Sequence, residues 1–250
     1  MPWDFALILV VLGVLVPWRG AVRIRQLLDQ PHLTTAERLA VYASTAAFQW
    51  LLVAAVLWRC SARGLSAQQL GVALPDRGLT ARITLGLTLL LLANQFLSLR
   101  RLARLPVERQ GLMGQIARKL MPQKRPEVWA FLGLVTTVAF CEELLYRGFA
   151  FAVLATAADS ELFAAVASAV LFSLAHLYQG RVGLAATFLV GLVFAGARIW
   201  SGSLMPSGVA HLLADLAAGL AAARLLGLPP TAAPGAPAVA QESNEPREEL

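Results

Sequence analysis

Long apolar runs alternate with shorter polar connections along most of the chain. We identify seven such runs, near residues 3–18, 39–58, 83–99, 128–154, 161–179, 182–200 and 204–226. A helix needs about 20 apolar residues to cross the ~30 Å hydrocarbon core of a bilayer, so each run is a candidate span. The pattern predicts an all-α polytopic membrane protein with about seven transmembrane helices.

The composition supports this class. Hydrophobic residues make up 58% of the 250 and charged residues 14%, with a mean hydropathy of +0.64. These values are typical of multi-spanning membrane proteins and unlike those of soluble domains. The net charge of +6 comes from basic residues in the connections, where lipid headgroups and topology explain them. We expect the lipid bilayer as a partner and no nucleic acid, because no basic surface with interleaved aromatic residues is present.

The distribution of basic residues predicts an orientation. If seven spans alternate, connections 19–38 and 100–127 share one side with Arg181, Arg224 and Arg247, giving that side 15 Lys and Arg residues. The opposite side has five, namely Arg59, Arg63, Arg77, Arg82 and Arg198. The positive-inside rule then predicts an external N-terminus and a cytoplasmic C-terminus in a plasma membrane, which we expect to be bacterial. Connection 100–127 also has enough apolar residues for an amphipathic interfacial helix.

Three charges interrupt the apolar run 128–154. A carboxylate at membrane depth is costly and therefore indicates function when partners exist. Glu143 and Arg147 are four residues apart, so they share a helix face and are predicted to form an ion pair. Glu142 points about 100° away around the same helix and is free to act as a general base on water. The alternative is that all three form a purely structural ion network.

Two of the three histidines also lie in apolar runs. His176 lies on the span after the glutamates, and His211 lies on the last span, four residues before Asp215. A carboxylate and one imidazole can deprotonate water, while the second imidazole with Asp215 can stabilise an oxyanion. We therefore predict a buried hydrolytic site built by three spans. Counting ~1.5 Å per residue, however, places His176 nearer the cytoplasmic face than Glu142 or His211.

These motifs resemble those of the CPBP family of intramembrane proteases, also called the Abi or CAAX prenyl endopeptidase family. The family signatures EExxxR, FxxxH and HxxxN or HxxxD are matched by Glu142 to Arg147, Phe172 to His176, and His211 to Asp215. The resemblance covers roughly residues 125–220. It implies a helical membrane fold with a water-accessible interior cavity, and endopeptidase activity on membrane-associated or prenyl-like peptides.

The resemblance also implies roles for individual residues. Glu142 would activate water together with His176, and His211 with Asp215 would line the oxyanion site. The best understood members have asparagine in place of Asp215, and an ionised aspartate cannot donate a hydrogen bond to an oxyanion. Asp215 is therefore protonated, orients His211 or binds a cation.

The resemblance suggests a division of the chain into three parts. Residues 1–120 hold the N-terminal spans and the basic interfacial connection, and residues 121–228 form the protease core. Residues 229–250, rich in Pro, Ala and Glu, are expected to form a disordered tail.

Three alternatives to metal-independent proteolysis remain. Glu142, His176 and His211 could bind a catalytic zinc ion, although the zinc-protease motif HExxH is absent and we favour no cofactor. A proton-coupled transporter would also use buried acids and histidines, but the first three spans carry no buried acid or histidine and no internal repeat is visible. A non-catalytic membrane scaffold or immunity protein could retain the same fold. No residue pattern fixes the oligomeric state.

Overall fold

The computed structural model describes residues 1–225, with side chains for residues 1–222. The predicted tail at 229–250 lies outside the described residues. Within them the secondary structure is helical, with two short 3₁₀ turns at Val107–Arg109 and Leu177–Gln179. The all-α prediction is confirmed. The described helices are α1 (Trp3–Asp29), α2 (Thr35–Ala62), α3 (Arg77–Arg104), α4 (Gly111–Leu120), α5 (Arg125–Ala158), α6 (Glu161–Ala175), α7 (Gly180–Ser201) and α8 (Met205–Leu225).

Six of the helical segments in the described chain are long and apolar enough to cross a membrane, and they fall on α1, α2, α3, α5, α7 and α8. The predicted span 161–179 is instead the 15-residue helix α6, which is apolar but short. Six spans plus α6 agree with the prediction of about seven membrane helices. The protein is thus a multi-pass membrane protein.

Several predicted boundaries were too narrow. Helix α1 continues to Asp29, so Arg19, Arg23 and Arg25, which we assigned to the connection after residue 18, lie on the helix. An apolar run shows only the part of a helix that lies in the hydrocarbon core. The helix can continue beyond the run, because Arg, Gln and Leu are good helix formers. In connection 100–127 the main helix is α4, whose Gly114 and Ile116 are buried.

Side-chain caps explain where three helices begin. Thr34 forms a capping box with Glu37 at the start of α2. Asp76 accepts a hydrogen bond from the amide of Leu79 at 2.9 Å, and Ser160 accepts one from Phe163 at 3.2 Å. Each cap satisfies an amide that the first helical turn leaves without a partner. The Ser160 cap explains why α6 begins immediately after α5.

Helix α5 lies at the centre of the fold. It packs against α2 and α8, and its residues 143–150 form a π-helical segment in which every residue is buried. The surrounding core includes side chains from α1, α2 and α6, among them Phe5, Leu12, Val53, Val56 and Phe172. Sequence analysis did not predict the π segment, a feature that is frequent at functional sites.

The connection between α2 and α3 folds back into the helical bundle. Leu70 is only 4% exposed, and the carbonyl of Gly71 accepts a hydrogen bond from the amide of Leu204 at 2.8 Å. Arg198 donates from Nη2 to the carbonyl of Gln69 at 2.7 Å. We had counted Arg198 among the basic residues of an aqueous connection, which was wrong, because it lies within α7 and is 9% exposed.

This arrangement sets the depth of α8. A Cβ on Gly148 would lie 3.1 Å from the carbonyl oxygen of Leu70 and 3.5 Å from Cδ1 of Leu204, so α8 begins beside Gly148. That position is about 15 Å along α5 from its end at Ala158. Continuing about 10 Å along α8 reaches His211, at the level of Glu142.

His176 lies at about the same level as Glu142, at the end of the helix that follows the turn between α5 and α6. It follows the 15 residues of α6, about 22 Å from the start of that helix, while Glu142 lies about 24 Å from the end of α5. The sequence-based expectation of unequal depths was wrong. Its cause was the assumption that α6 and α8 both cross the full membrane.

Candidate active site

Glu142 is the last residue of the regular α-helical part of α5, directly before the π segment. Its side chain is 12% exposed. Oε1 accepts a hydrogen bond from Nε2 of Gln49 on α2 at 3.1 Å. Oε2 is buried without a hydrogen-bond partner in the described part of the chain, and it lies 4.0 Å from Nε2 of His211. Glu142 therefore has one carboxylate oxygen held by Gln49 and one buried oxygen without a hydrogen-bond partner in the described part of the chain.

Glu143 and Arg147 are both buried in the π segment. Arg147 donates from Nη1 to Oε1 of Glu143 at 3.0 Å. The guanidinium carbon lies 3.9 Å from the ring centre of Phe172 and 5.0 Å from that of Phe194, so aromatic faces as well as the carboxylate surround this cation.

Three carboxylates face the imidazole of His211 on α8. Nδ1 lies 3.3 Å from Oε1 of Glu143, and Nε2 lies 3.5 Å from Oδ2 of Asp215 and 4.0 Å from Oε2 of Glu142. Glu143 thus holds one edge of the ring and leaves the Nε2 edge facing Glu142 and Asp215. The side chain of Asp215 is 37% exposed, against 11% for His211, so the cluster is most open beside Asp215.

His176 follows the last residue of α6. Its Nδ1 lies 2.9 Å from the carbonyl oxygen of Phe172. A carbonyl can only accept, so Nδ1 carries the proton and Nε2 of the neutral ring is an acceptor. The Phe172 ring lies 4.6 Å from the His176 ring and 6.2 Å from the His211 ring, which places the two imidazoles on one aromatic side chain.

Sequence analysis assigned no site residue to the first three spans and missed Gln49. The available signal was an amide side chain in the middle of an apolar run. The next residue, Trp50, makes a second link from α2 to α5, donating from Nε1 to Oγ1 of Thr137 at 3.3 Å. Its exposed ring stacks on that of Phe140 at 5.7 Å.

The statement that the first three spans carry no buried acid was also wrong. Asp4 on α1 is buried and pairs with Arg59 at 2.6 Å and Arg63 at 3.1 Å. A further buried pair joins Arg38 to Glu127 at 2.9 Å. These acids are not in the Glu142 cluster, and each has a cationic partner, as expected of structural ion pairs.

Metal dependence of the cluster stays a prediction. Among the described residues, no group of three or more His, Cys, Asp or Glu side chains is found in an arrangement typical of a metal site.

Comparison with known families places this cluster in context. Residues 124–217 match the family described as Type II CAAX prenyl endopeptidase Rce1-like. The matched segment contains every residue of the three motifs, and it confirms the resemblance inferred from them. Searches of the curated proteins and of the solved structures gave no significant match.

Proposed function

We propose, from the match of residues 124–217 to the type II CAAX prenyl endopeptidase Rce1-like family, that the protein is an intramembrane endopeptidase with Glu142 as the base. The observation that carries the proposal is the buried, unpartnered Oε2 of Glu142, 4.0 Å from Nε2 of His211. That separation is too long for a direct hydrogen bond, but it suits one bridging water.

In the proposed reaction, Oε2 of Glu142 takes a proton from the bridging water as the water oxygen attacks the peptide carbonyl carbon. Nε2 of His176 accepts the second hydrogen bond of the water and orients it. The attack forms the new C–O bond and a tetrahedral oxyanion. When the intermediate collapses, the C–N bond breaks and Glu142 passes its proton to the leaving amine.

His211 stabilises the oxyanion in this proposal. Glu143 holds Nδ1 at 3.3 Å, which directs Nε2 toward the reaction space. Three neighbouring carboxylates favour positive charge on the ring, so Nε2 donates a hydrogen bond to the developing negative charge. Asp215 cannot donate as a carboxylate, and we assign it the role of orienting the Nε2 edge of His211 from 3.5 Å.

The description of the matched family and the surroundings of the site both support a substrate class. The name of the matched family includes the words CAAX prenyl endopeptidase. In this chain Trp50, next to Gln49, and Phe140, two residues before Glu142, are both exposed aromatic side chains. We therefore propose membrane-associated or prenyl-like peptides as substrates.

The test is cleavage of quenched fluorescent peptides, with and without a C-terminal prenyl-cysteine, by purified protein in detergent. We expect Glu142→Gln to lower kcat by about 10²- to 10⁴-fold, because an amide cannot accept the proton of water. Glu108→Gln removes an exposed carboxylate and is the matched control. Each protein is assayed with and without a strong chelator.

Three outcomes contradict the proposal in different ways. Retained activity in Glu142→Gln would remove Glu142 from the role of base. Loss of wild-type activity with chelator would indicate a metal-dependent reaction. Absence of cleavage of every peptide would contradict the peptidase assignment for this substrate class.

A further inference from the structure

Gln49 forms a hydrogen bond to Glu142 from outside the matched segment 124–217. It lies near the middle of α2, and its Nε2 reaches Oε1 of Glu142 at 3.1 Å. None of the three motifs includes it. The contact means that a helix with no motif residue fixes one of the two oxygens of the proposed base.

The orientation of the Gln49 amide follows from its partner. A carboxylate only accepts hydrogen bonds, so the nitrogen of the amide must face Glu142. The amide oxygen then points elsewhere, and this Oε1 is buried without a hydrogen-bond partner in the described part of the chain. Oε2 of Glu142 is in the same situation.

Two buried acceptors therefore lie on adjacent side chains without a donor from residues 1–222. A buried acceptor that stays without a donor is unfavourable, so this pair is suited to a ligand that brings hydrogen-bond donors. The water of the proposed reaction supplies a donor to Glu142. A peptide backbone in extended form supplies an N–H group to the other acceptor.

We infer that Gln49 has two roles in the proposed proteolysis, on which this inference rests. Its N–H group positions Glu142, holding Oε1 so that Oε2 faces His211. Its Oε1 accepts a hydrogen bond from a backbone N–H of the substrate next to the scissile bond. Gln49 thereby couples the placement of the base to the placement of the peptide.

Two substitutions separate these roles from packing. Gln49→Met keeps the length of the side chain but removes donor and acceptor. We expect kcat to fall about 10- to 100-fold, because small displacements of a catalytic group have effects of this size. KM should rise about two- to tenfold, the value of one hydrogen bond to the substrate.

Gln49→Glu keeps an acceptor and loses the N–H donor near neutral pH. One proton shared between residues 49 and 142 restores a donor, as in other carboxylate pairs at hydrogen-bond distance. We expect the activity of Gln49→Glu to peak at lower pH than that of the wild type, with a KM near the wild-type value. If the side chain at position 49 did not contact Glu142, this substitution would not move the pH profile.

Thr45→Val is the matched control, one turn earlier on α2. Its hydroxyl donates only to the carbonyl of Val41 at 2.8 Å, so kcat and KM should stay within about twofold of wild type. Loss in Glu142→Gln with wild-type kcat and KM in Gln49→Met would overturn this inference alone. An unshifted pH profile in Gln49→Glu would also overturn it. An inactive wild type, or an active Glu142→Gln, would overturn the proposed function together with it.

Discussion

The carboxylate of Glu143 lies 3.3 Å from Nδ1 of His211, on a different helix. The same oxygen, Oε1, accepts the hydrogen bond from Arg147 at 3.0 Å. The ion pair that makes a buried charge tolerable therefore also decides which edge of the imidazole faces Glu142. Stability of the π segment and orientation of the proposed oxyanion donor depend on one oxygen atom.

Removal of Arg147 should destabilise the fold strongly. Arg147→Met leaves the buried Glu143 with His211 as its remaining partner, and breaking a buried ion pair from one side costs up to about 3–5 kcal/mol. We expect the double variant Glu143→Gln with Arg147→Met to recover part of this loss, because the buried carboxylate is then removed together with its guanidinium partner. Unfolding in detergent, followed by circular dichroism, measures both changes.

Arg82→Met is the control for loss of a positive charge, because Arg82 is exposed. A Tm of Arg147→Met equal to that of Arg82→Met would contradict the assignment of a stabilising ion pair.

The role proposed for His176 can be tested against another histidine of the chain, His32. His176→Ala removes the acceptor Nε2 that orients the attacking water, so kcat should fall about 10²- to 10⁴-fold. His32 is exposed in the connection after α1, and His32→Ala should leave kcat unchanged. Initial rates at saturating peptide measure the difference. Equal kcat values for the two variants would exclude His176 from the reaction.

The spacing of residues along the sequence was sufficient to predict some of the contacts. Residues four apart on a helix meet whatever the rest of the fold does, so proximity within the pairs Glu143–Arg147 and His211–Asp215 could be inferred from the chain alone. The apolar runs similarly identified the helices, because length and hydropathy decide whether a segment can cross a membrane.

Features that depend on contacts between helices were not accessible in this way. The link from Gln49 to Glu142 joins residues 93 positions apart, and no periodicity predicts it. Arg198 is buried because the connection between α2 and α3 folds back onto it. The composition of that connection did not indicate that it would fold back. The capped, short α6 misled the estimate of depth, because an apolar run does not reveal where its helix ends.

Substitution of Asp215 by asparagine tests the three roles considered for this residue. An amide at this position still reaches Nε2 of His211 and can in addition donate to an oxyanion. We expect kcat of Asp215→Asn to stay within about threefold of wild type, while Asp215→Leu, which cannot orient the ring, falls about 10- to 100-fold. A large loss of kcat in Asp215→Asn would indicate that the negative charge of Asp215 is required, as it would be for binding a cation. Equal activity of all three proteins would remove Asp215 from the site.

The last prediction concerns the connection that folds back into the bundle. Arg198 donates from Nη2 to the carbonyl of Gln69 at 2.7 Å and from Nε to that of Arg147 at 3.2 Å. Arg198→Met removes both bonds, and hydrogen bonds to charged groups contribute about 1.5–3 kcal/mol each. We expect hydrogen exchange of the Leu204 amide, bonded to Gly71, to become faster, because the connection then opens more often.

Arg77→Met is the matched control, because Arg77 is exposed at the start of α3 and its loss should leave this exchange unchanged. Since α8 begins beside the same connection, loosening it should also displace His211 relative to Glu142 and lower kcat more than it raises KM. Wild-type exchange at Leu204 in Arg198→Met would contradict the role of Arg198, whereas faster exchange with unchanged kcat would separate this connection from the placement of the proposed site.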